Sequence, residues 1–192
     1  MKKILLMRHS IPERLELPTE QLPLSEEGKA LAKSKAELLM SIDKCYTSPY
    51  KRALETAQIL SKAPITIVND LHERLVGDAR EDFWLRQYLD HSYHNPRGES
   101  LNMVKVRMKG AIDVILREME EEDTALVVSH ATAICSYLLN FCSIQVADAK
   151  SKSRIITFGE QEILNGKIKP LDYFELKYAE DVVYSIRFFE KT

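Results

Sequence analysis

The chain is poor in cysteine, with three in 192 residues (Cys45, Cys135, Cys142) and no CxxC pair. An odd count without paired spacing argues against a disulfide framework or a zinc finger. All three sit in apolar stretches that suit buried, reduced thiols. Long apolar runs are missing as well. Met1, Lys2 and Lys3 are followed by only Ile4 to Met7 before Arg8 interrupts, too few for a signal sequence. No stretch approaches the ~18 apolar residues of a membrane span. Charge of one sign is not in excess: 27 Lys plus Arg stand against 29 Asp plus Glu, a net charge of -2. With a pI near 6.2, general binding to nucleic acid or to an anionic membrane is not expected, although a local cationic pocket fits easily. Repeats, low-complexity tracts and linkers are also lacking. The expectation is one domain over 1–192, in the cytoplasm. Hydrophobic residues at 45% supply ample core material.

What is present is an alternation of short apolar runs with segments of helical period. Residues 3–7 (KILLM) suit a buried strand. Ser25 is a candidate N-cap, with Glu26 and Glu27 favourably placed in the first turn of a helix to about 41, whose inner face carries Leu31, Leu38 and Ile42. A strand at 44–47 precedes a helix at 50–63 with Ala53, Ala57 and Leu60 inward, and Pro64 ends it. The β-branched run 65–68 is a third strand. A helix of mixed face is expected at 81–93. A stronger one covers 100–121, where Leu101, Val104, Met108, Ala111, Ile115 and Met119 keep a period near 3.6. Residues 125–128 form a strand buried on both faces, followed by a helix at 131–141. The tail reads as a hairpin of 174–178 and 182–189. Strands alternating with helices imply an α/β fold with a mostly parallel sheet and one antiparallel edge strand.

The residues after each strand carry the chemistry. Arg8 and His9 follow the first; Ser48 and Arg52 the second; His72, Glu73 and Arg74 the third; His130 the fourth. Ligands of open parallel sheets bind at the carboxyl ends of the strands. Two arginines, two histidines and a carboxylate converging there suit a doubly charged anion such as a phosphoryl group. Each residue alone is ordinary: Arg52 is explained by a solvated helix face, Glu73 by pairing with Arg52 or Arg74, His130 by a strand–helix junction. Their order along the chain is what carries weight.

That order resembles the histidine phosphatase superfamily, the clan of cofactor-dependent phosphoglycerate mutase. The matching blocks are LLMRHS at 5–10, PLSEEGKALA at 23–32, YTSPYKRALETA at 46–57, LHERLVG at 71–77, GESL at 98–101 and VVSHATAI at 127–134. Together they span roughly three quarters of the chain. The sequence departs from the family at Ser10 and Ala131, where glycine is usual, and in the loop 11–15, which lacks the family's polar residues.

The resemblance implies a three-layer α/β sandwich of phosphoglycerate mutase type, with a small lid around 77–98 and no metal or organic cofactor. It implies His9 as nucleophile, Arg8 and Arg52 as phosphoryl clamps, His130 as a further donor and Glu73 as general acid and base. Ser48, Arg14 and Arg74 are expected among the substrate contacts. The expected activity is that of a histidine acid phosphatase-type phosphomonoesterase, acting on a small phosphomonoester or a phosphoprotein. The rivals are mutase-type phosphoryl transfer and an inactive module that binds a phospho-ligand. The short lid favours hydrolysis over mutase chemistry. The sequence leaves the oligomeric state open between monomer and dimer.

Other features have simpler readings. His91 and His94 beside Asp90 could hold a metal but are more simply the wet end of a lid helix. Residues 118–123 (EMEEED) are a solvated acidic face. Trp84, Tyr88 and Tyr93 fit either a substrate cavity or half-buried helix packing.

Overall fold

The computed structural model describes residues 1–39 and 41–190. Its first strand, β1 (Lys2–Arg8), is central because it is apolar on both faces: Ile4 and Leu6 point to one side, Leu5 and Met7 to the other. Around it a six-stranded sheet assembles from β2 (Lys44–Thr47), β3 (Ile65–Ile67), β4 (Thr124–Ser129), β8 (Tyr173–Ala179) and β9 (Val182–Phe189), in the order β3-β2-β4-β1-β8-β9. The first four strands of that order are parallel. Strand β8 runs antiparallel to β1, and β9 pairs outside it to form the edge.

Two helices, α1 (Glu26–Lys35) and α2 (Lys51–Leu60), cover one face through Ala32, Ala53, Ala57 and Leu60. The other face is covered by α3 (Phe83–Leu89), α4 (Leu101–Glu118) and α5 (Ala131–Leu138), packed on Ile4, Leu6, Ala125 and Val127. These are the three layers expected. Ser25 caps α1 by accepting from the Gly28 N–H at 3.0 Å, and Ser100 caps α4 through Met103 at 3.1 Å. Helix α1 stops at Lys35 and passes into a 3-10 turn at Ala36–Leu39. The Leu38 side chain expected on its inner face lies outside the described residues.

The tail holds more structure than its sequence suggests. A second sheet, antiparallel and three-stranded, forms from β5 (Cys142–Asp148), β6 (Ser153–Phe158) and β7 (Gln161–Gly166). Ile144, Ile156 and Leu164 press it onto the core beneath α3 to α5. All three cysteines are free and buried. No helix among the described residues is long and apolar enough to cross a membrane.

The topology creates a crevice. From β1 the chain crosses one face to β2 and β3, then returns over the opposite face to β4, so the loops after β1 and β4 leave neighbouring strands in opposite directions.

Candidate active site

Parallel pairing brings Arg8 opposite Ser129, and the His9 N–H donates to the Ser129 carbonyl at 3.0 Å. His9 and His130 therefore leave adjacent strands at one level, with ring centroids 5.0 Å apart. Both are buried. Arg52 arrives from the first turn of α2 and joins them. Its Nε–H donates to His9 Nε2 at 3.0 Å, and its Nη2 lies 3.2 Å from His130 Nδ1. A third guanidinium nitrogen, Nη1, donates to the Thr19 carbonyl on the loop before α1.

These contacts fix the protonation of both rings. His9 Nδ1 lies 2.6 Å from the Ser10 carbonyl, which can only accept, so Nδ1 carries the proton and Nε2 the lone pair. Burial, reinforced by Arg52 and Arg8, lowers the His9 pKa to about 3. His130 likewise accepts at Nδ1 and donates from Nε2 to Ser48 Oγ at 2.8 Å. Burial, then His9 and Arg52, keep its pKa well below the usual histidine range.

Glu73 follows the 3-10 turn Asn69–Leu71 after β3. Its carboxylate accepts from the backbone N–H groups of Arg74 at 2.8 Å, Ala133 at 2.9 Å and Thr132 at 3.3 Å, which pin it to the first turn of α5. Arg107 of α4 locks the same loop. It donates to the carbonyls of Asp70, His72 and Glu73 and forms a two-pronged ion pair with Glu99, both prongs at 2.8 Å. Sequence reasoning missed Arg107, because a cation on a long helix reads as a solvated charge.

Beside this cluster lies a cleft of about 330 Å³, bordered by Arg8, Glu73, Arg74 and Thr132 on one side. Phe83, Trp84 and Gln87 of α3 form another wall. The remaining wall comes from the second sheet and its exits: Ser151, Lys152, Arg154 and Lys167. The segment 77–98 therefore borders the cleft through α3, and the second sheet borders it as well. The base of the segment is closed backbone to backbone, with Asp78 N–H on the Pro96 carbonyl at 2.9 Å. Gly77 sits there at φ +66, and a Cβ on it would lie 2.2 Å from the Pro96 oxygen.

Five expected residues, Arg8, His9, Arg52, Glu73 and His130, come together. Arg74 borders the cleft with Nε bound to the Glu99 carbonyl at 2.7 Å. Ser48 is fully buried and its Oγ accepts the Tyr50 N–H, so it reaches the site only through His130. Arg14 is exposed on the loop after β1 and lies outside the cluster. Ser10, where the family has glycine, turns its hydroxyl away from the site to donate to the Gly28 carbonyl at 2.7 Å. Trp84 and Tyr88 are packed in the core, with Trp84 also facing the cleft. Among the described residues, His91 and His94 acquire no third ligating side chain.

The description of the histidine phosphatase superfamily (branch 1) matches residues 4–153. The chain belongs to this superfamily. No curated protein sequence gives a significant match. Among solved structures, a mycobacterial glucosyl-3-phosphoglycerate phosphatase superposes with a TM-score of 0.73 at 18% identity, over 98% of this chain and 96% of that one. YhfR of Bacillus stearothermophilus gives 0.70 at 22% identity, over 96% and 95%. A phosphoserine phosphatase variant from Entamoeba histolytica, in complex with phosphoserine, gives 0.66 at 20% identity, over 97% of each chain. At such identities the likeness is one of fold. As a histidine phosphatase-type chain, this protein carries an α/β sandwich together with a three-stranded sheet at the rim of the cleft.

Proposed function

We propose that this protein is a cytoplasmic phosphatase that hydrolyses a phosphomonoester through a phosphohistidine on His9. One observation carries the reading: a buried, neutral imidazole, fixed at Nδ1 by a carbonyl, aims its Nε2 lone pair at a guanidinium. A phosphoryl group can take the place of that guanidinium contact, and Arg52 then turns from nitrogen to phosphoryl oxygen. In the first step the His9 Nε2–P bond forms and the P–O ester bond breaks, while Glu73 gives its proton to the leaving oxygen. In the second, water attacks phosphorus, Glu73 takes its proton and the N–P bond breaks. Arg8 and Arg52 supply the electrostatic stabilisation on which phosphoryl transfer depends, and His130 joins them as a donor when Arg52 leaves its Nδ1 and that nitrogen takes up a proton. A cleft open at one side gives water access to the intermediate, which favours hydrolysis over return of the phosphoryl group.

The test is a phosphatase screen over phosphomonoesters, with His9→Ala as control. Labelled substrate quenched without acid should leave acid-labile, alkali-stable phosphate on His9. Turnover by His9→Ala above a few per cent of the parent's would overturn the mechanism. Conversion of 3- to 2-phosphoglycerate faster than phosphate release would overturn hydrolysis.

A further inference from the structure

The second sheet places three cations, Lys152, Arg154 and Lys167, on the cleft wall that also holds Arg8, Arg74 and a single carboxylate, Glu73. Arg154 is built in rather than solvated. It is 4% exposed, and its guanidinium lies over the rings of Trp84 and Tyr88, 5.4 Å from each centroid. Three arginines of this cleft keep a buried N–H without a partner: Arg8 Nε, Arg74 Nη2 and Arg154 Nε. Burying an unpaired donor is costly, and the three guanidinium groups held there border a cleft that offers them a single carboxylate, leaving positive charge for an anionic ligand to meet. One phosphoryl dianion can engage Arg8 beside His9 but leaves the opposite wall uncompensated.

We propose that the three-stranded sheet is a specificity element, in which Arg154, flanked by Lys152 and Lys167, binds a second anionic group on the substrate. The substrate is then a small phosphomonoester that also carries a carboxylate or a second phosphate. A cleft of about 330 Å³ matches a small metabolite. This inference rests on the phosphatase reading for its substrate class. Its binding arm does not need turnover.

Two matched pairs test it. Glycerol 3-phosphate against 3-phosphoglycerate isolates a carboxylate; fructose 6-phosphate against fructose 1,6-bisphosphate isolates a phosphate. The doubly anionic member of at least one pair should win by about tenfold or more in kcat/KM, as expected for an added charge-assisted contact. The winning pair tells which anion is read. Arg154→Gln should bring that ratio close to one, whereas a merely structural lesion lowers both members and leaves the ratio intact. Lys152→Asn with Lys167→Gln alters only exposed side chains and should reduce the ratio severalfold even if Arg154→Gln fails to fold. Calorimetry on His9→Ala should show the same preference in binding. Absence of phosphate release together with a retained binding preference would sink the phosphatase reading alone. Equal binding within both pairs, or a ratio untouched by these variants, overturns the proposal.

Discussion

Two buried imidazoles, His9 and His130, make the protein's stability depend on pH. His9 has a folded pKa of about 3 against an ordinary value of 6.5. Between those values the unfolded chain binds more protons than the folded one. Stability is therefore fully present above about pH 6.5 and falls as pH drops toward 3. At pH 5 the loss from His9 is about 2 kcal/mol. Urea unfolding at pH 7 and pH 5 should show a larger loss in the parent, to which His130 adds, and a loss smaller by about 2 kcal/mol in His9→Gln; the same pH dependence in both proteins would refute the assignment. Arg107 offers a second residue-level test. It touches neither phosphate nor nucleophile but holds three carbonyls around Glu73, so Arg107→Gln should lower kcat about tenfold or more with a smaller change in KM. An unchanged kcat would show that the acid keeps its place without the clamp.

At the scale of elements, the join between the β1 loop and α1 is the tightest seam near the site. A Cβ on Gly28 would meet the Ile11 oxygen at 2.1 Å, and that oxygen already accepts from the Ser25 N–H at 3.0 Å. Gly28→Ala should cost about 2 kcal/mol or more and disturb the loop carrying His9, visible as a lower Tm and reduced turnover together. A second element test lies in the three-stranded sheet. Ile156 is fully buried beneath it, so Ile156→Ala should cost about 2–5 kcal/mol.

These elements also show how far the sequence could be read. The parallel strands were legible as short apolar or β-branched runs followed by titratable residues, α1 announced itself by its serine cap, and α4 by its period near 3.6. Arg8, His9, Arg52, Glu73 and His130 followed from those strand ends. Strands β5 to β7 were not legible: β5 alternates but follows directly on the apolar helix before it, and β6 and β7 are short and largely half-buried or exposed. The β5–β6 turn is made by Asp148 accepting from the Lys150 and Ser151 N–H groups, not by a glycine pair. Gly159 at φ +59, between 153–158 and 161–166, was the available hairpin signal. Without that sheet the cleft seemed to depend on 77–98 alone.

For the molecule as a whole, one apolar cluster joins Ile4 and Val127 of the large sheet to Met108 of α4 and to Ile144 and Ile156 of the small one. Both sheets should therefore unfold in one cooperative transition, with fluorescence and circular dichroism midpoints coinciding. The chemistry needs no divalent cation where arginines already stand against the phosphoryl charge, so phosphate release should survive exhaustive chelation. Loss of activity restored by magnesium or zinc would count against this charge balance. Inorganic phosphate at about 100 times its Kd should stabilise the fold by about 2.7 kcal/mol, an effect that should shrink in Arg8→Gln.

The nearness of the two histidines starts from the backbone ladder. They follow β1 and β4, hydrogen-bonded neighbours spaced about 4.8 Å apart, and their ring centroids lie 5.0 Å apart. The ladder thus brings the two histidines out side by side, and their side-chain hydrogen bonds to Ser10, Arg52 and Ser48 then set the rings. The cations proposed for recognition stand on a separate ribbon at the rim. On that proposal, the rim can be rewritten to suit another substrate while the ladder keeps the two histidines together.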